Sequence, residues 1–383
     1  MQIDEKRCAA EISITQFLKN YNQVKNLLPE GCRLMAVLKG NAYGHGAAVL
    51  AKEIENYSED WIAVASLGEA LELRETGVKK EILILGYTPL EYAALLGENK
   101  ITQAIISYEY GEQLALAAKK VSTRVACHLA VDTGMSRIGL LAYGKDREKS
   151  IEEATALYNN PSLCIGGIFT HFSSAYGIKP EDQEYTRLQY ERFCSFVREI
   201  ESKGIAVGLR HCNNSPSIVN YPEYALDMCR GGTLLFGALD QSEMLRPIDL
   251  PIVMRFRTIV TMIKEIQKGT PISYARTAVA QRDMRLAVLG VGWYDGYPRQ
   301  LGNKGKVLIR GEEHPIVGRI CMDLCMADIT DSPDVTVGDE VILLGKQMEK
   351  EIHFSDLYKP LGIGAGSISG GISTRVPRIY RKD

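Results

Sequence analysis

Residues 33–46 read RLMAVLKGNAYGHG, and the fold can be worked out from this stretch. Its first six residues form a short apolar run, which is typical of a strand buried on both faces. Lys39 follows the run directly, and a turn that contains glycine comes after the lysine. A buried strand that ends in a polar turn is the repeating unit of parallel sheets whose faces are covered by helices.

Seven further runs of the same kind follow, and several of the segments between them place apolar residues at helical spacing. The clearest helical segments are residues 68–76, 108–120 and 181–203. Eight strands that alternate with helices predict a (β/α)8 barrel of the TIM type, whose typical size is about 250 residues. The seven further runs cover residues 61–65, 82–85, 103–106, 124–131, 164–169, 207–210 and 225–229.

The pattern changes after residue 245. Helical spacing fades, and alternating strands punctuated by glycine and proline cover residues 253–266, 285–289 and 307–310. We therefore predict two domains, a barrel over residues 1–245 and a mainly-β domain over residues 246–383. The polar, proline-containing stretch 240–251 is the expected boundary.

Composition favours a small-molecule partner over a nucleic acid or a membrane. The chain has 45 Lys plus Arg against 47 Asp plus Glu, so no basic surface for nucleic acid is expected. Neither a signal peptide nor an apolar run of membrane-spanning length is present. Nine unpaired cysteines without metal-ligand spacing predict reduced thiols, no metal site and a cytoplasmic location. The alternative is that the chain is the cytoplasmic domain of a longer, membrane-anchored protein.

Candidate catalytic residues are sought at the carboxyl ends of the strands, where barrel enzymes place their sites. Lys39 occupies such an end. A lysine at a barrel mouth suits covalent attachment of an aldehyde, because desolvation lowers the pKa of its amine. The alternative is an exposed lysine in a glycine-rich turn.

The ends of the seventh and eighth strands carry small and hydroxyl residues, namely Asn214 with Ser215 and Gly232 with Thr233. Backbone N–H groups and hydroxyls there can hold a phosphate, and barrels often bind phosphate at these two loops. Each loop taken alone is better explained by turn formation. Combined with a lysine across the mouth, they predict a phosphorylated aldehyde cofactor.

Arg230 is charged where the eighth strand should be apolar, so it needs a buried partner. The nitrogen of a pyridine ring is one candidate. A protonated arginine would leave that nitrogen neutral and the ring a weaker electron sink, which favours simple removal and return of a proton. The alternative is an ion pair with Asp227. We also expect His211 to hydrogen-bond Arg230 and His171 to pack on the cofactor ring, although a lone histidine is more often a satisfied core residue.

Several motifs in a fixed order carry a family resemblance. They are KGNAYGHG (39–46), DTGMSRIG (132–139), FTHF (169–172), GWYDGYPR (292–299), VGRICMD (317–323) and RVPR (375–378). In these motifs the chain resembles the alanine racemases, which are pyridoxal-phosphate-dependent enzymes of fold type III. The resemblance runs over nearly the whole chain.

This resemblance implies a head-to-tail homodimer in which each active site takes residues from both chains. Inversion of a carbon requires one base on each face, and Lys39 and Tyr274 would fill the two roles. Met322 would arrive with Tyr274 from the partner and lie near the substrate, with Asp323 and His211 as supporting residues. Cofactor contacts would come from Lys39, Tyr43, Arg137, His171, Asn214, Ser215, Arg230, Gly232 and Thr233.

Three positions depart from the family pattern. Ala130 stands where many members carry a carbamylated lysine that orients Arg137, so something else, such as a bound anion or water, is expected to orient it here. Trp293 replaces a tyrosine of the entry corridor. The segment that typically reads Gly-Thr-Ile-Asn-Tyr-Glu is matched to GSISGG, with Gly370 in place of the tyrosine.

Loss of that aromatic ring should enlarge the substrate pocket, so we expect turnover of serine as well as alanine. In this the chain is similar to the serine/alanine racemases of vancomycin resistance. The product would be a D-amino acid for cell-wall precursors.

Three other functions are weighed against racemisation. A barrel-type decarboxylase is disfavoured by Arg230, because decarboxylation needs a protonated ring. A cofactor-carrying homeostasis protein would not need Tyr274 or Met322. A catalytically idle relative would explain Ala130 and the missing tyrosine.

Overall fold

The computed structural model describes residues 3–57, 59–240, 242 and 244–382. In its first half, eight strands of three to eight residues alternate with helices. The strands are β2 (Arg33–Val37), β3 (Trp61–Val64), β4 (Ile82–Ile84), β5 (Ile101–Ile105), β6 (Val125–Asp132), β8 (Leu163–Phe169), β9 (Leu209–His211) and β10 (Met228–Gly231), with a short β7 (Leu140–Leu141) beside β6.

The eight strands form one parallel sheet in the order β10-β2-β3-β4-β5-β6-β8-β9. Two backbone hydrogen bonds join its ends. The N–H of Asp227 donates to the carbonyl of Arg210, and the N–H of Arg230 donates to the carbonyl of Asn213, both at 3.1 Å. The predicted (β/α)8 barrel is therefore confirmed. Each predicted run overlaps one strand, and the bounds of the run and the strand differ by at most three residues.

The helices of this half begin where the sequence supplies capping residues. The Ser66 hydroxyl caps α4 and Glu69 returns a bond to the Ser66 backbone, while Pro180 occupies the first turn of α8. The predicted helical segments correspond to α4, α6 and α8. The set is α1 (Ile14–Lys25), α2 (Lys39–Tyr43), α3 (Ala47–Glu53), α4 (Leu67–Glu75), α5 (Ala93–Glu98), α6 (Tyr108–Lys120), α7 (Arg147–Tyr158), α8 (Pro180–Ser202) and α9 (Ser215–Asn220).

The interior of the barrel is filled by side chains from the strands. They form a small apolar cluster of their own, apart from the layer between strands and helices, and so make the barrel a packed core. Its buried members are Met35, Val37, Ala63, Leu83, Ala104, Ala130, Phe169 and Met228.

The second half of the chain is mainly β, as predicted. Antiparallel pairing links most of its strands, and two short helices, α10 (Phe354–Tyr358) and α11 (Gly366–Gly370), lie near the end. Its strands are β11 (Met254–Ile266), β12 (Pro271–Ile272), β13 (Ala278–Val279), β14 (Met284–Leu289), β15 (Lys306–Ile309), β16 (Glu312–Pro315), β17 (Cys325–Asp328), β18 (Glu340–Gln347), β19 (Lys350–Ile352) and β20 (Arg378–Arg381).

The first strand of the chain, β1 (Cys8–Ser13), belongs to this second sheet, where it pairs with β11 and β20. From sequence, residues 1–245 were all predicted to belong to the barrel, and this crossing was not expected. Asp295 reinforces it: the carboxylate is buried and binds Arg7 at 2.8 Å and Arg375 at 2.7 Å. The predicted boundary between residues 245 and 246 stays a prediction.

All nine cysteines lie in the described part of the chain and are free thiols. Across the described ranges, no helix has both the length and the apolar character needed to cross a bilayer.

Candidate active site

A cavity of about 270 Å³ opens at the carboxyl ends of the barrel strands. This is the position expected for the site of a TIM-type barrel. Eight of the predicted site residues line it, and they come from five different strand ends: Lys39, Tyr43, Arg137, His171, Asn214, Ser215, Arg230 and Gly232.

Lys39 and Tyr43 reach the cavity from an unusual turn. Gly40, Asn41 and Ala42 have φ values of 62°, 52° and 54°, so α2 is a left-handed turn and not an ordinary helix. Outside bonds hold it: the Gly40 N–H donates to Glu69 Oε1 at 2.6 Å, and Asn41 Oδ1 accepts from a backbone N–H of α3 at 2.8 Å. The turn brings the side chains at both of its ends to the cavity.

The amine of Lys39 is half-buried. Burial lowers its pKa, and the positive charge of Arg137 lowers it further. A lowered pKa increases the fraction of neutral amine, which is the form that attacks an aldehyde or accepts a proton. The alternative of an exposed turn lysine is therefore wrong.

Residues from the last two strand ends form a polar cradle. Ser215 Oγ accepts hydrogen bonds from the N–H of Gly232 at 2.9 Å and of Leu234 at 3.5 Å, so its own hydroxyl proton remains available. A methyl group at Gly232 would lie 2.9 Å from the Tyr43 hydroxyl and 3.4 Å from Ser215 Oγ. Any larger residue would fill this cradle.

Asn214 and Thr233 border the same cradle. Asn214 caps α9, its side chain accepting from the Ser217 N–H, and so fixes the loop that presents Ser215. Thr233 begins the short 3-10 helix Thr233–Phe236 directly after Gly232. Thr233 does not line the cavity itself.

Arg230 is buried, and burial lowers the pKa of its guanidinium to about 10. Its hydrogen bonds go to neutral groups. They reach the His211 Nδ1 atom at 2.9 Å, the His171 Nδ1 atom at 3.4 Å and the carbonyls of Thr170, His211 and Cys212. Asp227, the alternative partner considered above, binds Arg210 instead. The prediction that His211 bonds Arg230 is confirmed.

The chain of hydrogen bonds continues beyond His211 to His128, whose Nδ1 atom lies 2.9 Å from His211 Nε2. Since a guanidinium only donates, His211 Nδ1 must accept, and its proton therefore sits on Nε2 and is donated to His128. Burial lowers the pKa of His211, and it lowers that of His128 to about 3. Both rings are neutral.

His128 was not predicted from sequence as a site residue. A polar residue in the buried run 124–131 was the signal that could have found it.

His171 and Arg137 stand on the loops after β8 and β6. Asp132 Oδ1 holds the second loop by accepting three successive backbone N–H groups, those of residues 134–136, at 2.8–3.1 Å. The buried Gln189 joins the two loops, because its Nε2 donates to Thr133 Oγ1 and to the His171 carbonyl, each at 3.2 Å. Gln189 was also missed from sequence.

Ala130 belongs to the barrel interior, and together with Arg137 it lines a space of only about 20 Å³. The Asp132 and Gln189 bonds give the Arg137 loop a fixed path, and they come from the protein itself. The expectation of a bound anion or water at this place stays a prediction.

Tyr274, Met322 and Asp323 lie in the second domain and do not line the cavity of their own chain. Tyr274 is 64% exposed and Met322 is 44% exposed. Asp323 binds Arg375 at 2.8 Å. Trp293 is also exposed, and its backbone N–H donates to the Cys321 carbonyl beside Met322 at 2.9 Å.

Comparison with known proteins agrees with this architecture. The family described as alanine racemase, N-terminal domain, matches residues 12–240, and alanine racemase, C-terminal domain, matches residues 253–380. The chain is 38% identical to alanine racemase 2 of Caldanaerobacter subterraneus subsp. tengcongensis, over 97% of this chain and 94% of that relative. It is also 38% identical to the alanine racemase of Desulfovibrio desulfuricans, over 97% of each chain.

This protein belongs to the alanine racemase family.

Solved structures of alanine racemases share the fold. The enzyme of Clostridium difficile 630 superimposes with a TM-score of 0.91 at 33% identity, covering 98% of this chain and 96% of that one. The enzyme of Bacillus anthracis with bound L-Ala-P gives a TM-score of 0.88 at 29% identity, covering 98% and 95%.

Two glycines of α11 have different surroundings. Gly370, which was matched to the tyrosine beside the phosphate, is exposed, and a methyl group there would meet nothing within 4 Å. Gly366, one turn earlier in α11, would place a methyl group 3.0 Å from Tyr43 Cδ1 and 3.7 Å from Thr233 Cγ2. Gly366 therefore packs closely against Tyr43, and the match of Gly370 to the tyrosine stays a prediction.

Proposed function

We propose that this protein is a pyridoxal-phosphate-dependent racemase that interconverts the enantiomers of alanine and also accepts serine. One observation carries the proposal: a single cavity combines the desolvated amine of Lys39 with an Arg230 whose partners are neutral imidazoles and carbonyls. The relatives that are named alanine racemases support the same reaction.

The donor groups of the cavity fit pyridoxal phosphate. The free proton of Ser215, the Tyr43 hydroxyl and the space kept open by Gly232 suit a phosphate, and the Lys39 amine suits the aldehyde. When bound, the cofactor supplies an electron sink that acidifies the α-C–H bond of an attached amino acid.

Arg230 would bind the pyridine nitrogen. A guanidinium with a pKa of about 10 keeps its protons at neutral pH and can only donate, so the nitrogen facing it carries no proton. With an unprotonated nitrogen, the cofactor ring would be a weaker electron sink, sufficient for removal and return of a proton. A decarboxylase would need a carboxylate at this place.

Lys39 would take the α-proton on one face of the substrate and return it there at Nζ. A second group must serve the other face, because a single base returns the proton to the side from which it came. Tyr43 is the tyrosine that lines the cavity, and it belongs to the phosphate cradle. We assign the second role to Tyr274 of a partner chain.

This assignment requires a head-to-tail homodimer. Support comes from Tyr274 and Met322, whose large side chains are exposed in one chain. Exposed aromatic and methionine side chains are favoured at protein interfaces. Burial of the tip of the second domain in the partner's barrel mouth would complete both sites.

Serine is included because Gly370 stands where the family pattern has a tyrosine, and the space around it is open. A hydroxyl group is a small addition that an apolar pocket rejects only weakly. Nine free thiols support a location in the reducing cytoplasm, where the D-amino acid product would supply cell-wall precursors.

The test is α-proton exchange in D2O by the protein purified with pyridoxal phosphate, using L-alanine and L-serine. We expect both substrates to gain deuterium and to yield the D-enantiomer. Release of carbon dioxide would indicate a decarboxylase. A bound cofactor spectrum without any exchange would indicate a cofactor carrier or an idle relative, and exchange with alanine alone would remove serine from the proposal.

A further inference from the structure

We propose that Ser273 is a positioning residue, which holds the phenol of Tyr274 in place through a strained backbone conformation tied to the loop that carries Met322. The inference rests on the proposed function, in which Tyr274 is the second base. It concerns how an exposed side chain can be placed accurately enough for proton transfer.

The backbone on both sides of Tyr274 is strained. Ser273 has φ 63° and ψ −176°, a region that is populated almost exclusively by glycine. Ala275 and Arg276 follow with φ values of 56° and 53°. Left-handed conformations at three non-glycine residues persist only where surrounding contacts enforce them, and such residues cluster at functional sites.

The contacts that enforce this conformation come from the segment around residues 318–321. The Ser273 hydroxyl donates to the Arg319 carbonyl at 2.7 Å and lies 3.8 Å from Cys321 Sγ. A methyl group at Gly318 would lie 2.6 Å from Ser273 Cβ, so the backbone of residue 318 packs directly against the serine. The turn itself is closed by the pairing of Ile272 with Ala278.

The segment that receives the Ser273 bond is itself fixed. The carbonyls of Cys321 and Met322 accept from the backbone N–H groups of Trp293 and Tyr294 at 2.9 and 3.0 Å. Arg375 then binds Asp323 at 2.8 Å. Ser273 therefore connects the Tyr274 turn to a rigid neighbour, and the phenol and Met322 are presented as one unit.

Two variants separate the loss of the Ser273 hydroxyl from the relief of backbone strain. Ser273→Ala and Ser273→Gly both remove the hydroxyl, but only glycine also removes the strain, because it adopts the observed φ and ψ without cost. We expect the melting temperature of the glycine variant to exceed that of the alanine variant by about 2 °C. We expect kcat to fall in both, on the order of tenfold or more, with a smaller change in KM.

Ser122→Gly is the matched control. Ser122 is an exposed serine with φ 53° in the turn between α6 and β6, at the end of the barrel opposite the site. Relief of its strain should raise the melting temperature and leave kcat unchanged. If Ser273 were merely structural, kcat would follow stability, and the glycine variant at 273 would be more active than the alanine variant.

Kinetic isotope effects on racemisation provide a measurement that does not depend on the stability of the fold. With α-deuterated L- and D-alanine, displacement of the phenol should make its proton transfer more rate-limiting. The isotope effect should then rise for the enantiomer whose α-proton Tyr274 removes and fall for the other. Unchanged isotope effects, or full kcat in Ser273→Gly, would overturn the role of Ser273. Absence of racemisation by the wild-type protein would instead overturn the proposed function.

Discussion

The barrel mouth and the tip of the second domain hold the two proposed bases in opposite ways. Lys39 lies in a cavity where burial lowers the pKa of its amine. Tyr274 is 64% exposed, and non-glycine residues with positive φ flank it. The difference indicates that burial and hydrogen bonds position the first group within its own chain, whereas backbone conformation positions a group that another subunit must receive.

The largest effect is expected at the buried base. Lys39→Ala should lower racemase activity on the order of 10⁴-fold, because it removes both the attachment point of the cofactor and one proton acceptor. The absorption band of the bound cofactor should be lost as well. Lys52→Ala, an exposed lysine in the neighbouring α3, is the control and should be unaffected. Substantial activity in Lys39→Ala would show that the amine is not the base.

A smaller loss of activity is expected when His128, deeper in the barrel, is replaced. His128→Leu removes the acceptor for His211 Nε2–H and leaves that buried donor unpaired, so the orientation of Arg230 is disturbed. We expect kcat to fall roughly tenfold. His128→Asn retains an acceptor close to the position of Nδ1 and should recover most of the activity. Equal kcat values for the two variants would contradict a role for the hydrogen-bond chain from His128 through His211 to Arg230.

Substrate preference should respond more weakly. Gly370→Tyr restores the aromatic ring of the family pattern, so turnover of serine relative to alanine should fall by roughly threefold to tenfold. Gly370→Ala is the matched control at the same position, where the added methyl group meets open space. If the two substitutions changed the ratio of serine to alanine turnover equally, the missing ring at residue 370 would not explain acceptance of serine.

The smallest effect concerns stability and pH. His45 is buried, and burial lowers its pKa from 6.5 to about 4. Below pH 6.5 the unfolded chain therefore binds a proton that the folded chain refuses, and the free energy of unfolding falls as the pH drops toward 4. His45→Gln should reduce this decline between pH 6.5 and 4.5 in urea titrations. If the free energy of unfolding still fell as steeply with decreasing pH, other groups would be responsible for the loss of stability in acid.

Much of the barrel could be predicted from sequence, because a strand buried on both faces leaves a local signal in its own residues. Strand β1 left no such signal for its sheet, since its pairing with β11 spans about 245 residues and depends on the assembled second domain. The left-handed turn at residues 40–43 could not be predicted from sequence either. Asn41, Ala42 and Tyr43 have no local preference for positive φ strong enough to predict three in succession.

In the site, residues at strand ends were predictable, because fold and chemistry restrict where they lie. His128 and Gln189 act through other side chains, and only the assembled hydrogen bonds reveal them. The match of Gly370 to the family tyrosine stays a prediction, because a segment rich in glycine and serine carries little information about register. The close packing of Gly366 against Tyr43, one helical turn earlier, could not be predicted from sequence.

The most direct test of a site shared between subunits mixes two inactive variants. Lys39→Ala lacks the first base and Tyr274→Phe lacks the second, so each homodimer should be nearly inactive. Dissociation and reassociation of an equal mixture should create hybrid dimers with one intact site, restoring about a quarter of the wild-type activity. No recovery, with hybrid dimers demonstrated by mass spectrometry, would contradict the proposal that Lys39 and Tyr274 of different chains act on the same substrate.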